Sequence, residues 1–142
     1  MSLYLDASAV MPTVVEDRFT QTVAAFLVNC GEHLVISDFG AAEVASALSR
    51  LVRMGELTAT EAAQRLADFD AWRVGETENA EMDAHDCRLA NTYVRRFDLK
   101  LRAPDALHAA ICRRLQLQLV TLDRRLAAAA RELGIAVAVP GA

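Results

Sequence analysis

The stretch LVTLD, residues 119–123, is a short apolar run that ends in an acid. A helical pattern follows it at residues 126–133. The N-terminus repeats this arrangement, because a predicted strand at residues 3–5 comes directly before Asp6. Short apolar strands that alternate with helices predict a parallel sheet that is covered by helices on both faces.

The rest of the chain continues the alternation of strands and helices. We predict further strands at residues 34–37 and 135–139, and further helices at residues 18–30, 38–54, 58–72, 81–97 and 104–115. Thr58 and Glu61 have the spacing of a capping box, which marks the start of a helix. Since no internal repeat or linker interrupts the pattern, we expect a single domain over residues 1–142.

Composition excludes several classes of protein. The chain is 54% hydrophobic and 24% charged, which suits a packed core and not a disordered tail. No apolar run approaches the roughly eighteen residues of a membrane span, and we expect no signal peptide because the first residues carry no basic segment. Its three cysteines, widely spaced, suit reduced thiols in the cytoplasm better than disulfides or zinc ligands. A net charge of −4 argues against coating nucleic acid by bulk charge, but not against holding it locally.

Four acids lie where a ligand is expected in such a fold, outside the carboxyl ends of the strands. Asp6 and Asp123 end predicted strands, and Asp105 begins a predicted helix. Glu43 lies in the helix after the second strand. Each also has a purely structural explanation, as a helix cap, a first-turn acid or part of a solvated stripe. Four such residues near one edge of the sheet nevertheless favour a shared site.

Carboxylates that share a crevice require a compensating cation. Two of them about 5 Å apart repel by roughly 3 kcal/mol at an effective dielectric constant of about 20. Four would therefore bind a cation or become partly protonated. Oxygen ligands favour Mg²⁺ or Mn²⁺, and a divalent ion suits phosphoryl chemistry because it activates bound water and stabilises charge on phosphate.

Four motifs, in this order and at this chain length, resemble those of the PIN-domain (PilT N-terminal) ribonucleases, in particular VapC-like toxins of type II toxin–antitoxin systems. They are YLDASAV (residues 4–10), AAEVASAL (41–48), RAPDALHAA (102–110) and LVTLDRRLAAAA (119–130). The resemblance implies a three-layer α/β/α sandwich with a central, mainly parallel sheet. It also implies a Mg²⁺-dependent endoribonuclease that acts as a toxin on RNA.

The resemblance assigns roles to the matched residues. The family's acidic catalytic quartet falls on Asp6, Glu43, Asp105 and Asp123. Asp6, Asp105 and Asp123 would hold Mg²⁺ or Mn²⁺ directly or through water, while Glu43 would help to hold the ion or orient the attacking water. Ser8 and Thr121 would be hydroxyls that support these carboxylates. Attack of the water in line on an RNA phosphodiester would leave 5′-phosphate and 3′-hydroxyl ends.

The resemblance also implies partners. One is a cognate antitoxin that lays a peptide across the protein and inserts into the acidic site, and another is a second copy of the chain in a homodimer. The predicted helical hairpin at residues 48–72 carries more apolar surface than one face of a sheet needs. Part of it is therefore a candidate groove for such a peptide.

Other polar residues near the motifs carry weaker signals. Arg102 flanks Asp105 and is a candidate RNA contact, because guanidinium groups bind phosphate. His108 lies one turn after Asp105, and we expect it to pack or to form a hydrogen bond. Asp83 and Asp86 lie outside the motifs, and we expect both on a solvated face.

Two other functions fit parts of the pattern. A receiver module that accepts a phosphoryl group also gathers acids at the carboxyl edge of a parallel sheet. Such a module needs a lysine after a late apolar strand, and Lys100, the only lysine, does not follow one. A catalytically weak PIN-like domain that acts only through binding is the other alternative, and the complete acidic quartet argues against it.

Overall fold

Five parallel strands form the central sheet of the computed structural model, which describes residues 1–142. The strands are β1 (Leu3–Leu5), β2 (Leu34–Ser37), β3 (Thr77–Ala80), β4 (Gln118–Val120) and β5 (Val137–Ala138). They lie in the order β3-β2-β1-β4-β5, and every neighbouring pair is parallel. This order differs from the 2-1-3-4-5 order of flavodoxin-like folds, which excludes the architecture of a receiver module.

Seven α-helices and one 3-10 turn at Phe97–Leu99 connect the strands. The helices are α1 (Ala7–Val14), α2 (Thr20–Asn29), α3 (Asp38–Arg53), α4 (Ala59–Glu76), α5 (Ala84–Val94), α6 (Ala103–Leu115) and α7 (Arg124–Glu132). Helices cover both faces of the sheet, so the predicted three-layer α/β/α sandwich is confirmed. None of the helices is both long enough and apolar enough to cross a membrane.

The side chains of β1 alternate between two hydrophobic clusters, one on each face of the sheet. Leu3 and Leu5 pack in a cluster with residues of α1, α3 and α4. Tyr4 packs in the other cluster, which α5, α6 and α7 complete. All three residues are buried, as expected for a central strand with helices on both sides.

Side-chain caps define where α3 and α4 begin. The Ser37 side chain accepts a hydrogen bond from the Gly40 N–H at 2.9 Å and so caps α3. The predicted capping box is present at the start of α4, where Thr58 and Glu61 exchange hydrogen bonds. Because the Ser37 cap lies at the junction, β2 leads into α3 with a defined direction.

Two elements are missing from the sequence-based prediction, and a third differs in length. Helix α1 was not predicted, because it has only 8 residues and contains Pro12. Strand β3 was also missed, because its sequence TENA lacks an apolar run. It lies at the edge of the sheet with Glu78 and Asn79 exposed, so it needs no apolar pattern there. Helix α4 extends to Glu76, beyond the predicted end at residue 72.

Candidate active site

Asp6 is the most buried of the four predicted acids, with 4% of its surface exposed. It directly follows β1 and caps α1, because its Oδ1 accepts a hydrogen bond from the Ala9 N–H at 3.0 Å. Ser8 Oγ donates to the same oxygen at 2.7 Å, and Thr121 Oγ1 donates to Oδ2 at 2.6 Å. Burial raises the pKa of Asp6, and the hydrogen bonds from Thr121 and Ser8 offset this only in part.

Thr121 connects Asp6 with Asp123. Its Oγ1 donates to Asp6 and accepts a hydrogen bond from the Asp123 N–H at 3.0 Å. The Asp123 carboxylate caps α7, because its Oδ1 accepts from the N–H groups of Arg125 and Leu126 at 3.0 and 3.2 Å. The two acids that end predicted strands are thus both helix caps, and Asp123 keeps its second oxygen available for another ligand.

Asp105 lies in the first turn of α6, half-buried beside Asp123. Burial raises the pKa of Asp105, and the negative charge of Asp123 raises it further. The backbone and guanidinium of Arg102 oppose this effect. The two carboxylates therefore share one region of negative potential, and Arg102 is the predicted RNA contact that lies next to it.

Glu43 approaches from α3, on the opposite side of the sheet from α6. Its Oε1 forms a hydrogen bond with His108 Nε2. The Nδ1 atom of the same imidazole lies 2.6 Å from the Tyr4 hydroxyl, and that hydroxyl lies 2.7 Å from Ser37 Oγ. The Glu43 side chain keeps 30% exposure, whereas His108 is 3% exposed. The Glu43 side chain is therefore partly exposed to solvent, whereas the polar residues that hold it are buried.

The four acids are linked through intermediate residues, but they do not form a finished metal cage. Thr121 joins Asp6 with Asp123, and His108, which forms a hydrogen bond with Glu43, lies one turn after Asp105 on α6. No group of three or more His, Cys, Asp or Glu side chains is close enough to hold a metal ion as the side chains stand. The donor chemistry still fits a hard cation, because Asp6, Asp105 and Asp123 form no ion pair with lysine or arginine and two of them have raised pKa values.

A surface cleft of about 450 Å³ extends from Glu43 along α3. Arg50 and Arg53 line it together with Met11, Ser46, Ala47, Leu51 and Met54. Both arginines are exposed. A chain of phosphates that passed the acidic groups could therefore meet positive charge on the same helix.

The predicted apolar hairpin is divided between the core and a surface groove. Leu48 and Phe69 are buried in the core, at 0% and 4% exposure. Trp72 is half-buried and lines a groove of about 520 Å³ together with Val14 and Leu27. The hairpin residues thus contribute to packing and to an open apolar surface.

Sequence reasoning missed the polar support beneath Glu43. It placed His108 one turn after Asp105 but found no partner for it, because Glu43 is 65 residues away in sequence. A signal for Tyr4 was present: residues two apart in a strand lie on the same face, so Tyr4 and Asp6 point to the same side.

Comparison with known proteins identifies the family. The sequence matches the PIN domain over residues 3–132. No curated protein sequence shows significant similarity to the chain.

Several solved structures share the fold. VapC20 from Mycobacterium tuberculosis, described as a toxin that cleaves the sarcin-ricin loop, is 17% identical over 90% of this chain and 95% of its own, with a TM-score of 0.71. FitAcB from Neisseria gonorrhoeae is 18% identical over 97% of each chain, with a TM-score of 0.69. VapBC2 from Rickettsia felis, bound to a DNA fragment from its promoter, is 14% identical over 98% of each chain, with a TM-score of 0.67. At these identities the likeness is one of fold, and the match over residues 3–132 establishes that the chain belongs to the PIN-domain family.

Proposed function

We propose that this protein is a divalent-metal-dependent endoribonuclease that acts as the toxin of a toxin–antitoxin pair. The observation that carries the proposal is the group of carboxylates at the carboxyl edge of the sheet, where Asp105 lies beside Asp123 and both Asp6 and Asp105 have raised pKa values. Carboxylates that are costly to ionise without a counter-charge are suited to bind a cation.

Asp6, Asp105 and Asp123 would hold Mg²⁺ or Mn²⁺. When bound, the metal ion lowers the pKa of a coordinated water and stabilises negative charge on the phosphate. The hydroxyls of Ser8 and Thr121 hold the Asp6 carboxylate in one orientation, as their hydrogen bonds of 2.7 and 2.6 Å indicate.

The remaining groups would act on the water and on the RNA. Glu43 is the partly exposed acid, and it would orient the attacking water and accept its proton. Arg102 beside Asp105 would contact the scissile phosphate. Water attack in line on the phosphorus atom breaks the bond to the 3′ oxygen, and the products are a 5′-phosphate and a 3′-hydroxyl.

The partner proposal rests on the fold neighbours and on the apolar groove. Several neighbours are toxin–antitoxin assemblies, among them VapBC2 bound to promoter DNA. The groove beside Trp72 would take an apolar helix of the cognate antitoxin. A homodimer of this chain, which the sequence resemblance implies, stays a prediction.

The test is cleavage of total RNA by the purified protein with Mg²⁺, with Mn²⁺ and with EDTA. We expect discrete fragments that require metal and that are lost in Asp6→Asn, which keeps the helix cap but removes the charge. Asp70→Asn on α4 is a matched control, because Asp70 is exposed and lies outside the acidic group. Folded protein that cleaves no RNA under any of these conditions would support the binding-only alternative.

A further inference from the structure

A chain of hydrogen bonds beneath Glu43 is anchored by a backbone donor. It begins at the Gly40 N–H, which donates to Ser37 Oγ at 2.9 Å. From there it passes through the Tyr4 hydroxyl to His108 Nδ1, with distances of 2.7 and 2.6 Å. Ser37 and Tyr4 are 0% exposed, so neither hydroxyl can use solvent as an alternative partner.

The hydrogen bond from the Gly40 N–H determines which atom donates in the next two hydrogen bonds. Because Ser37 Oγ already accepts from a backbone N–H, its own hydrogen needs an acceptor, and the Tyr4 oxygen is the one within reach. The Tyr4 hydroxyl must then donate to His108 Nδ1, which leaves that nitrogen without a hydrogen. The hydrogen of the neutral imidazole is therefore on Nε2, where it donates to the Glu43 carboxylate.

The reverse direction leaves a buried group without a partner. If His108 Nδ1 carried a hydrogen, it would donate to the Tyr4 oxygen, and Tyr4 would donate to Ser37. Ser37 Oγ would then accept two hydrogen bonds while its own hydrogen had no acceptor in a fully buried position. An unsatisfied buried polar group costs about 1–3 kcal/mol, which favours the first direction.

Aromatic packing fixes the plane of the imidazole. The Phe39 ring lies 5.3 Å from the His108 ring and the Tyr4 ring lies 5.6 Å from it, both tilted by more than 50°. A Cβ atom at Gly40 would lie 3.3 Å from Ser37 Oγ and 3.7 Å from His108 Cε1. The backbone of α3 therefore packs closely against the residues that form these hydrogen bonds. Both ring nitrogens are occupied and the residue is 3% exposed, so His108 does not itself reach a substrate.

We propose that His108 is the positioning residue for Glu43: a hydrogen-bond chain that starts at a backbone N–H of α3 holds its imidazole as the Nε2–H tautomer, and this donor fixes the Glu43 carboxylate. This chain of hydrogen bonds joins the two helix layers across the carboxyl edge of the sheet, since Glu43 lies on α3 and His108 on α6. The inference deepens the proposed function, because Glu43 is the group assigned there to the attacking water.

The first test reads the tautomer without any RNA. Nitrogen-15 NMR of the metal-free protein distinguishes a protonated from an unprotonated imidazole nitrogen, and the chain has only three histidines, two of them, His33 and His85, exposed. We expect His108 to be protonated at Nε2 only. In Tyr4→Phe the Glu43 carboxylate still accepts from Nε2, so this tautomer should persist, while the Nδ1 resonance should move to that of a nitrogen that accepts no hydrogen bond. Tyr93→Phe is the matched control, because Tyr93 is the other tyrosine, is also buried, and forms no hydrogen bond with the residues of this hydrogen-bond chain. An Nδ1–H tautomer in the unaltered protein, or equal spectra in the two variants, overturns the proposal.

The second test uses RNA cleavage. His108→Leu should lower kcat by about 10–100-fold with little change in KM for RNA, as expected for the loss of a group that orients a reacting residue. His108→Gln can place an amide N–H near the position of Nε2 and should recover much of kcat. Equal losses in both variants would overturn the positioning role. If the unaltered protein cleaves no RNA, the proposed function fails while the tautomer measurement still decides this inference.

Discussion

Thr121 donates its hydroxyl hydrogen to Asp6 Oδ2 at 2.6 Å and accepts the Asp123 N–H at 3.0 Å through the same oxygen. One side chain that is 0% exposed therefore links the acid after β1 to the acid that caps α7. Because β1 and β4 are neighbours in the sheet, this link is a direct product of strand order. Replacement of the hydroxyl should affect both acids together.

Thr121→Val keeps the shape of the side chain and removes the hydroxyl. Asp6 then loses a donor, and the Asp123 N–H loses its acceptor. We expect RNA cleavage to fall by about 10–100-fold, and the free energy of unfolding to fall by roughly 1–3 kcal/mol because buried polar groups are left unsatisfied. Thr121→Ser keeps the hydroxyl and should retain most of the activity. If the Val and Ser variants cleave RNA equally well, the hydroxyl does not support the site.

Metal affinity should weaken as the pH falls, and it should begin to do so above the pH at which an ordinary carboxyl titrates. Burial raises the pKa of Asp6, and burial together with the charge of Asp123 raises the pKa of Asp105. Both acids are therefore protonated at a higher pH than a free carboxyl, and bound metal must displace those protons. Calorimetric titration with Mg²⁺ or Mn²⁺ at a series of pH values measures this, and proton release is read from buffers of different ionisation enthalpy. An affinity that stays constant down to pH of about 4 would contradict the prediction.

Asp6 and Asp105 should also make the metal-free protein less stable as the pH rises. Their pKa values are raised in the folded state, so the folded protein binds these protons more tightly than the unfolded chain does. Their contribution to stability is then full below the unfolded pKa and is lost as the pH rises through the folded pKa. Asp105→Asn should therefore raise Tm in EDTA at neutral pH while it reduces RNA cleavage. Thermal unfolding at several pH values checks the direction, and a lower Tm for this variant at neutral pH would contradict it.

The capping and metal-binding roles of Asp123 can be separated by two substitutions. Asp123→Ala removes both, and it should cost about 1 kcal/mol of stability through the lost cap of α7. Asp123→Ser restores a capping oxygen without a carboxylate, so it should recover the stability but not the metal affinity or the cleavage. The two measurements are chemical unfolding and metal titration. Full metal binding by Asp123→Ser would show that the residue is only a cap.

Local features account for what the sequence predicted well. Strand ends, capping residues and the alternation of strands with helices depend on neighbours in sequence, so residues such as Asp6, Thr58 and Asp123 could be placed without coordinates. The features that the sequence did not predict depend on distant contacts or on weak patterns. Strand β3 is a polar edge strand, and the partner of His108 is 65 residues away.

Asp86 is a sequence-based prediction that was wrong. It was expected on a solvated face, but it is 0% exposed, because Arg114 on α6 covers it. Arg114 Nε and Nη2 donate to its two carboxylate oxygens at 2.7 and 2.8 Å. Helical periodicity alone could not place this contact, since the two residues are 28 positions apart. The pair joins α5 to α6, the helix that carries Asp105 and His108.

Asp86→Asn should destabilise the protein and change its response to acid. Burial favours the neutral carboxyl, but the hydrogen bonds and charge of Arg114 outweigh burial and lower the pKa of Asp86. The unfolded chain therefore takes up this proton more readily, so the stability from Asp86 is present above a pH of about 4 and is lost as the pH falls towards the folded pKa. We expect Asp86→Asn to cost roughly 1.5–3 kcal/mol at neutral pH, the range for hydrogen bonds to charged groups, and to lose less stability on acidification than the unaltered protein. Asp70→Asn on α4 is the matched control, because Asp70 is an exposed acid that forms no ion pair with Arg114. Urea unfolding at neutral pH and near pH 3 compares the two variants, and equal stability of both at neutral pH would mean that the Asp86–Arg114 pair does not hold α5 against α6.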